Sequence, residues 1–289
     1  MKKTRSVKEV IYAQIYDMGG LPVRQPFPSP QAEQVDPFLL LHHARLKVPR
    51  HIPTHQAGVG PHPHRGFSPV TFIFKGGVHH RDSRGNDSII YEGGTQWMHA
   101  GMGIIHSERP PHDIFERGGE QEIIQLWVNS PAVHKMDKPH YYPLTSEETP
   151  VVKSSDELVA IKIIAGELNG IKGAIKPLSP VNTFTAEIKK GGKYFFSIPV
   201  THNAFIYLLD GKLNVSGKEV SGNYAAIFNN NGEGFETQAL EDTRLFIGSG
   251  EPLNEPVASH GPFVMNNETE LLEAFRDYQL GKMGVLIEE

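Results

Sequence analysis

The 289-residue sequence predicts an all-β protein, made of two tandem jelly-roll β-barrels with a short C-terminal helix. Short segments rich in β-branched and aromatic residues recur along the chain, and glycine-rich turns separate them. The two halves are similar in length and repeat the same rhythm of strands and turns, which indicates a duplicated barrel. We therefore predict an N-terminal barrel over residues 1–145 and a C-terminal barrel over residues 146–289.

The strand predictions depend on local composition and on the glycines that end each segment. In the first half, the predicted strands lie near residues 10–16, 36–41, 70–74, 88–91, 96–98 and 123–128. In the second half, they lie near residues 159–164, 182–188, 193–198, 204–209, 212–215, 225–228 and 244–247. The polar, proline-bearing stretch 137–156 between the two sets is the predicted linker.

The chain near its end has the pattern of a helix. Asn267 is suited to be the N-cap, Glu270 follows three residues later, and Gly281 suits the C-terminal end. Leu271, Phe275 and Tyr278 form an apolar stripe on one helical face, which we expect to pack on a barrel.

Composition excludes several classes of function. The formal net charge is −5 and no long basic run occurs, so charge gives no support for direct nucleic-acid or membrane binding. The chain contains no cysteine, which excludes disulfides, thiolate nucleophiles and cysteine-based metal sites. No signal peptide or membrane-spanning run is recognisable, so we expect a cytoplasmic protein.

Two short motifs carry the chemistry. His62 and His64 are two positions apart, and so are His106 and Glu108. Residues two apart on a strand project from the same face, so each motif directs two ligand-type side chains to one point. If the two strands face each other inside a barrel, they form a metal site with three imidazoles and one carboxylate.

Such ligands suit Fe, Mn, Co, Ni, Cu or Zn. Four protein ligands leave two positions open on an octahedral ion such as Fe(II), for water, substrate or dioxygen. A chance occurrence is the alternative for either motif alone, because the chain contains 15 histidines. The strand spacing of both motifs and the glycines beside them favour the metal site.

The sequence around these motifs resembles the pirin family of the cupin superfamily. The resemblance rests on PHPHRGF at 61–67, GGTQWMHAGMGIIHSE at 93–108, QLWVN at 125–129, HKM at 134–136 and GPFVMN at 261–266. It implies a bicupin whose N-terminal barrel binds iron through His62, His64, His106 and Glu108. It also implies a C-terminal barrel without metal, where His202 and His260 lack partners at strand spacing. Ser68 departs from the family pattern, which commonly has glutamate there.

Other side chains near the motifs have two interpretations. His79, His80, His99 and His112 are either outer partners of the ligands or ordinary surface and core residues. Arg65 either binds an anionic ligand or pairs with a carboxylate below the site, and we favour the second. The large side chains that could line a pocket, or simply fill the core, are Phe67, Phe72, Trp97, Met98, Phe115 and Trp127.

Three functions are compatible with this site. The resemblance implies a quercetin 2,3-dioxygenase type of activity, which cleaves flavonol-like polyphenols with dioxygen, with Glu108 as the base that takes a hydroxyl proton. It equally implies an iron-dependent regulatory protein that docks on a transcription factor or an enzyme. A metal-assisted isomerase or lyase is the third function, and it predicts turnover without dioxygen.

Overall fold

The computed structural model describes residues 2–48 and 57–288, and most of their regular structure is β-strand. The chain divides into two compact units. The unit that we call the first barrel comprises Asp17–Val23, His42–Ser146 and Asn254–Glu289. The unit that we call the second barrel comprises Met1–Tyr16, Arg24–Leu41 and Glu147–Leu253.

The elements are numbered in chain order. Up to residue 146 the strands are β1 (Val7–Tyr12), β2 (Gln14–Asp17), β3 (Pro22–Phe27), β4 (Phe38–Val48), β5 (Val59–His64), β6 (Phe67–Lys75), β7 (Gly77–Asp82), β8 (Asp87–Tyr91), β9 (Thr95–His99), β10 (Ile104–Arg109), β11 (Gly119–Asn129) and β12 (His140–Leu144). After it they are β13 (Val151–Lys153), β14 (Val159–Ala165), β15 (Glu167–Leu168), β16 (Ile171–Lys172), β17 (Val181–Ile188), β18 (Lys193–Ser197), β19 (Asn203–Asp210), β20 (Lys212–Val215), β21 (Lys218–Ser221), β22 (Tyr224–Phe228), β23 (Gly234–Ala239), β24 (Thr243–Gly250), β25 (Ala258–His260) and β26 (Phe263–Met265). The α-helices are α1 (His112–Arg117) and α2 (Glu268–Gln279), and one turn of 3₁₀ helix spans Ala132–His134.

Two antiparallel sheets build the first barrel. One contains strands in the order β12-β9-β6-β11-β4, and the other contains β5-β10-β7-β8. Strand β6 is buried on both faces over most of its length, because its near-continuous apolar and β-branched sequence lies between β9 and β11. The second sheet carries both ligand motifs, on its adjacent strands β5 and β10.

The second barrel has the same two-sheet plan. Its sheets have the strand orders β1-β22-β19-β24-β17-β14-β13 and β18-β23-β20-β21. The space between them is filled by a continuous cluster of fully buried apolar side chains, of which the largest include Phe184, Phe196 and Phe235. The interior of the second barrel is therefore a packed hydrophobic core.

Burial of one histidine in the second barrel predicts a loss of stability in acid. His202 is 5% exposed, and burial, aided by the charge of Arg5, lowers its pKa to about 4. Unfolded histidine has a pKa near 6.5, so below that pH the unfolded chain takes up a proton that the folded barrel does not. The stabilising contribution is complete above pH 6.5 and is lost as the pH falls towards 4.

We expect the contribution of His202 to the free energy of unfolding to be about 2 kcal/mol smaller at pH 5 than at pH 7. Urea denaturation followed by circular dichroism at pH 7 and pH 5 measures the change, and a His202→Gln variant is the matched comparison. The variant should lose less stability on acidification than the wild type. An equal loss in both proteins would show that His202 does not carry the effect.

The predicted all-β fold with two barrels is confirmed, but the compact units differ from the predicted division at both ends of the chain. Strand β1 pairs with β22, where Val10 lies opposite Ala226, so the N-terminal strand belongs to the second barrel. Helix α2 contacts β25 and β26 and belongs to the first barrel. The terminal segments are thus placed by backbone pairing and helix packing, which local composition does not encode.

The predicted linker also contains regular structure. Strand β12 extends the first barrel by pairing with β9, and β13 extends the second by pairing with β14. Both are edge strands, and Pro143 in β12 suits an edge, because proline cannot donate a ladder hydrogen bond. Within the predicted linker, the chain passes from the first barrel to the second between Ser146 and Glu147.

The predicted C-terminal helix is present and begins at the predicted cap. The side chain of Asn267 accepts a hydrogen bond from the backbone N–H of Glu270, and the Glu270 carboxylate accepts one from the backbone N–H of Asn266. Leu271 and Ala274 are the buried residues of the helix. Among residues 2–48 and 57–288, no helix is long and apolar enough to cross a membrane.

Candidate metal centre

Strands β5 and β10 bring three histidines together. The strands are antiparallel neighbours, with His62 directly opposite His106 and His64 opposite Ile104. The ring nitrogens that could bind a metal, one from each of His62, His64 and His106, lie within 4.8 Å of one another. The centroids of the three rings are 4.3–5.0 Å apart. The imidazoles therefore converge as the strand spacing in the sequence predicts.

The outer nitrogens of two of these rings are held by backbone carbonyls. His62 Nδ1 lies 2.7 Å from the carbonyl oxygen of Gly60, and His64 Nδ1 lies 3.3 Å from that of Pro262. A carbonyl only accepts hydrogen bonds, so each Nδ1 carries the hydrogen and each Nε2 keeps its lone pair. The atom that could bind a metal is therefore Nε2 in both rings.

The inner nitrogens of His64 and His106 fit a metal ion. Both Nε2 atoms are buried, and neither has a hydrogen-bond partner among the described residues. Burial lowers the pKa of both rings well below the ordinary value, and the neighbouring His62 lowers both further, so they are neutral at pH 7. Neutral imidazole is the form that binds a metal. An unpaired buried acceptor costs about 1–3 kcal/mol, which a metal bond would offset.

The fourth predicted ligand, Glu108, is not in the group of side chains whose ligand atoms lie within 4.8 Å of one another. One carboxylate oxygen accepts a hydrogen bond of 2.6 Å from Thr71 Oγ1, and the other accepts one of 2.7 Å from Gln125 Nε2. The pairing of β10 with β5 is irregular between His106 and Glu108, which places Glu108 opposite Val59. Coordination by Glu108 therefore stays a prediction.

A cavity of about 490 Å³ lies over the histidines. His62, His64, Glu108 and Gln125 form part of its wall. The remainder of the wall is mainly apolar and includes Leu21, Val23, Leu46, Val78, Ile123 and Trp127. The site is thus a mostly apolar chamber whose wall also carries the polar groups of two predicted histidine ligands and of Glu108.

Sequence reasoning located the histidines but missed other residues of the chamber. Thr71 and Gln125 hold Glu108, a role that the sequence analysis assigns to neither. His42 also lines the cavity, and burial lowers its pKa to about 4. Trp127 is the member of the proposed aromatic set that lines the cavity, and it packs on Phe67 with ring centroids 4.2 Å apart.

The four histidines that flank the motifs lie in different surroundings. His80 is buried, with Nδ1 3.5 Å from His106 Nδ1, and is the one that contacts a predicted ligand. His79 pairs with Asp87 towards the surface, and His112 is exposed. His99 is buried with Nδ1 3.4 Å from the hydroxyl of Ser68, so Ser68 faces a histidine of the core.

Arg65 pairs with a carboxylate, the interpretation that we favoured from the sequence. One guanidinium nitrogen lies 3.1 Å from Asp277 on α2, and Nε donates to the carbonyl oxygen of Met102 at 2.7 Å. The Arg65 side chain is 4% exposed and that of Asp277 is 13% exposed. This ion pair ties α2 to the residue that follows the first histidine motif.

We expect an Asp277→Asn substitution to destabilise the protein by about 3 kcal/mol, because it leaves a buried guanidinium without its counter-charge. Urea denaturation measures the change. Asp113→Asn is the matched control, since it breaks the exposed pair of Asp113 with Arg117 and should cost less than about 0.5 kcal/mol. Equal stability of the two variants would show that the Arg65 pair is not stabilising.

Two tandem jelly-roll barrels, with convergent imidazoles in the first, define the class of protein as a bicupin. Residues 20–128 match the family model Pirin, and residues 183–284 match the model of the Pirin C-terminal cupin domain. A pirin-like protein from Solanum lycopersicum is 34% identical over 282 residues, which cover 96% of this chain and 92% of that protein. The chain belongs to the pirin family.

Two bacterial relatives carry the name of an enzyme. A Pseudomonas aeruginosa protein named "Putative quercetin 2,3-dioxygenase" is 35% identical over 266 residues, which cover 91% of this chain and 92% of that protein. The fold also matches the crystal structure of quercetin 2,3-dioxygenase from Acinetobacter baumannii, with a TM-score of 0.92 and 35% sequence identity. The match covers 98% of this chain and 100% of that chain. The family and the fold class predicted from the sequence are thereby confirmed.

Proposed function

We propose that this protein is a metal-dependent dioxygenase of the quercetin 2,3-dioxygenase type, in which His62, His64, His106 and Glu108 hold one divalent ion. The observation that carries the proposal is the pair of buried Nε2 atoms, of His64 and His106, without hydrogen-bond partners among the described residues, in a cluster of which His62 and His64 line a mostly apolar cavity. Fe(II) is the ion that we expect, and Ni, Cu, Mn, Co and Zn suit the same ligands. The names of the bacterial relatives support this activity.

The chamber suits a flat aromatic substrate. Its volume of about 490 Å³ is within the range of pockets that bind small molecules. The apolar wall, which includes Trp127, would pack on the rings of such a molecule, and the polar groups would face its hydroxyls. We therefore propose a flavonol-like polyphenol as the substrate, with dioxygen as the second reactant.

We propose Glu108 as the general base. It lines the cavity and is 8% exposed, so a substrate hydroxyl beside the histidines would meet its carboxylate in a site with little water. Thr71 and Gln125 each bind one carboxylate oxygen and would keep Glu108 oriented as it takes the proton. The metal, when bound, would lower the pKa of a coordinated hydroxyl and provide an open coordination position.

The test is turnover of quercetin by iron-, nickel- and copper-loaded protein. Turnover is measured as oxygen uptake and as loss of flavonol absorbance. We expect both signals in air and neither under anaerobic conditions. Anaerobic turnover would favour the isomerase or lyase alternative. Absence of turnover with all three metals would reject the proposal.

A further inference from the structure

His106 differs from the other two histidines in what its outer nitrogen faces. His62 and His64 each face a backbone carbonyl, whereas His106 Nδ1 lies 3.5 Å from Nδ1 of His80, at the long end of the hydrogen-bond range. An imidazole nitrogen either donates or accepts, so this contact alone does not set which nitrogen of His106 carries the hydrogen. The nitrogen of His106 that carries the hydrogen is determined by Asp82, which contacts the other nitrogen of His80.

Asp82 fixes the hydrogen of His80. Asp82 Oδ2 lies 3.0 Å from His80 Nε2, and both side chains are buried. Each of the other groups that bind this carboxylate is a donor: the backbone N–H groups of Arg84 and Asn86, and the side-chain amide of Asn86. A carboxylate in such surroundings acts only as an acceptor, so Nε2 of His80 carries a hydrogen, and in the neutral ring Nδ1 then carries the lone pair.

We infer that Asp82 and His80 are positioning residues, which hold His106 with its hydrogen on Nδ1 and its Nε2 lone pair facing the cluster of imidazoles. This inference rests on the metal centre of the proposed function, because Nε2 is the atom that His106 would offer to the ion. Outer partners of this kind fix the ring orientation and the tautomer of histidine ligands.

Packing keeps His80 in the orientation that these hydrogen bonds need. Its ring stacks on Tyr141, with centroids 3.9 Å apart and the planes inclined by 5°. The Tyr141 hydroxyl is itself hydrogen-bonded to Ser88 Oγ at 2.7 Å. Where β7 pairs with β10, Asp82 lies opposite His106 and His80 lies opposite Glu108, so Asp82 and His80 share a sheet face with His106.

The first measurement is the affinity for Ni(II), by competition with a chelator, in the wild type, Asp82→Asn and His80→Phe. The amide of the Asp82→Asn variant can donate to His80 and reverse the direction of both hydrogen bonds, while His80→Phe keeps a stacked ring without any nitrogen. We expect the affinity to fall about 10- to 100-fold in both variants. Asp87→Asn is the matched control, because it breaks a His–Asp pair at the surface of the same hairpin and should leave the affinity unchanged.

The second measurement is the tautomer of His106 in the metal-free wild type, from ¹⁵N chemical shifts of labelled histidine, and it requires no substituted protein to fold. We expect the hydrogen on Nδ1, and a shift towards Nε2 in Asp82→Asn. A wild-type Nε2–H tautomer, or variants that bind Ni(II) as tightly as the wild type, would overturn the inference. A wild type with the expected tautomer and no affinity for Ni(II) would instead overturn the proposed function.

Discussion

Replacement of His106 by alanine should abolish metal retention. The substitution removes one of three converging imidazoles, whose Nε2 has no hydrogen-bond partner among the described residues. Loss of an outer partner alone weakens metal sites about 10- to 100-fold, so loss of the ligand itself should cost more than about 100-fold in affinity. Elemental analysis of protein purified without added metal measures the effect.

The matched control for this variant is His112→Ala. His112 is 74% exposed and lies on α1, away from the cluster of imidazoles, so its loss should leave the metal content at the wild-type level. Retention of metal by His106→Ala at the level of His112→Ala would show that the ion is bound elsewhere.

Replacement of Glu108 by glutamine should strongly reduce turnover. The side chain keeps its size, but an amide is not a base, so the proton transfer loses its acceptor. General-base catalysis typically contributes about 10²- to 10⁴-fold, and we expect kcat for quercetin to fall by a factor in that range. Oxygen uptake by the metal-loaded variant measures the loss.

Glu120→Gln is the matched control for Glu108→Gln, because it makes the same change at a carboxylate outside the site. Glu120 is 38% exposed and pairs with Lys75 and Arg45, outside the cavity wall. Its substitution should leave turnover unchanged. Wild-type turnover by Glu108→Gln would contradict the role of this carboxylate as the base.

The sequence was sufficient to predict the histidine cluster because it depends on short-range geometry. Two histidines at strand spacing share a face, and an HxH motif and an HxE motif on neighbouring strands can meet only in a few ways. The capped helix at the C-terminus is encoded equally locally, by Asn267 and Glu270.

Sequence spacing does not predict the residues that hold Glu108 and His106, because these residues come from separate strands. Thr71 is on β6 and Gln125 is on β11, and they meet at Glu108 only after the two sheets pack. Asp82 reaches His106 through His80, and this requires the register of β7 with β10. The partner strand of β1 likewise depends on a pairing with β22, which lies in the second half of the chain.

The most direct test of the metal centre is a crystal structure of the iron-loaded protein, with anomalous scattering measured at the iron edge. We predict a single strong peak in the first barrel, about 2.0–2.2 Å from one nitrogen each of His62, His64 and His106 and from one Glu108 oxygen. Imidazoles that point apart, with no anomalous peak between them after soaking in iron, would contradict the proposed centre and the activity that depends on it.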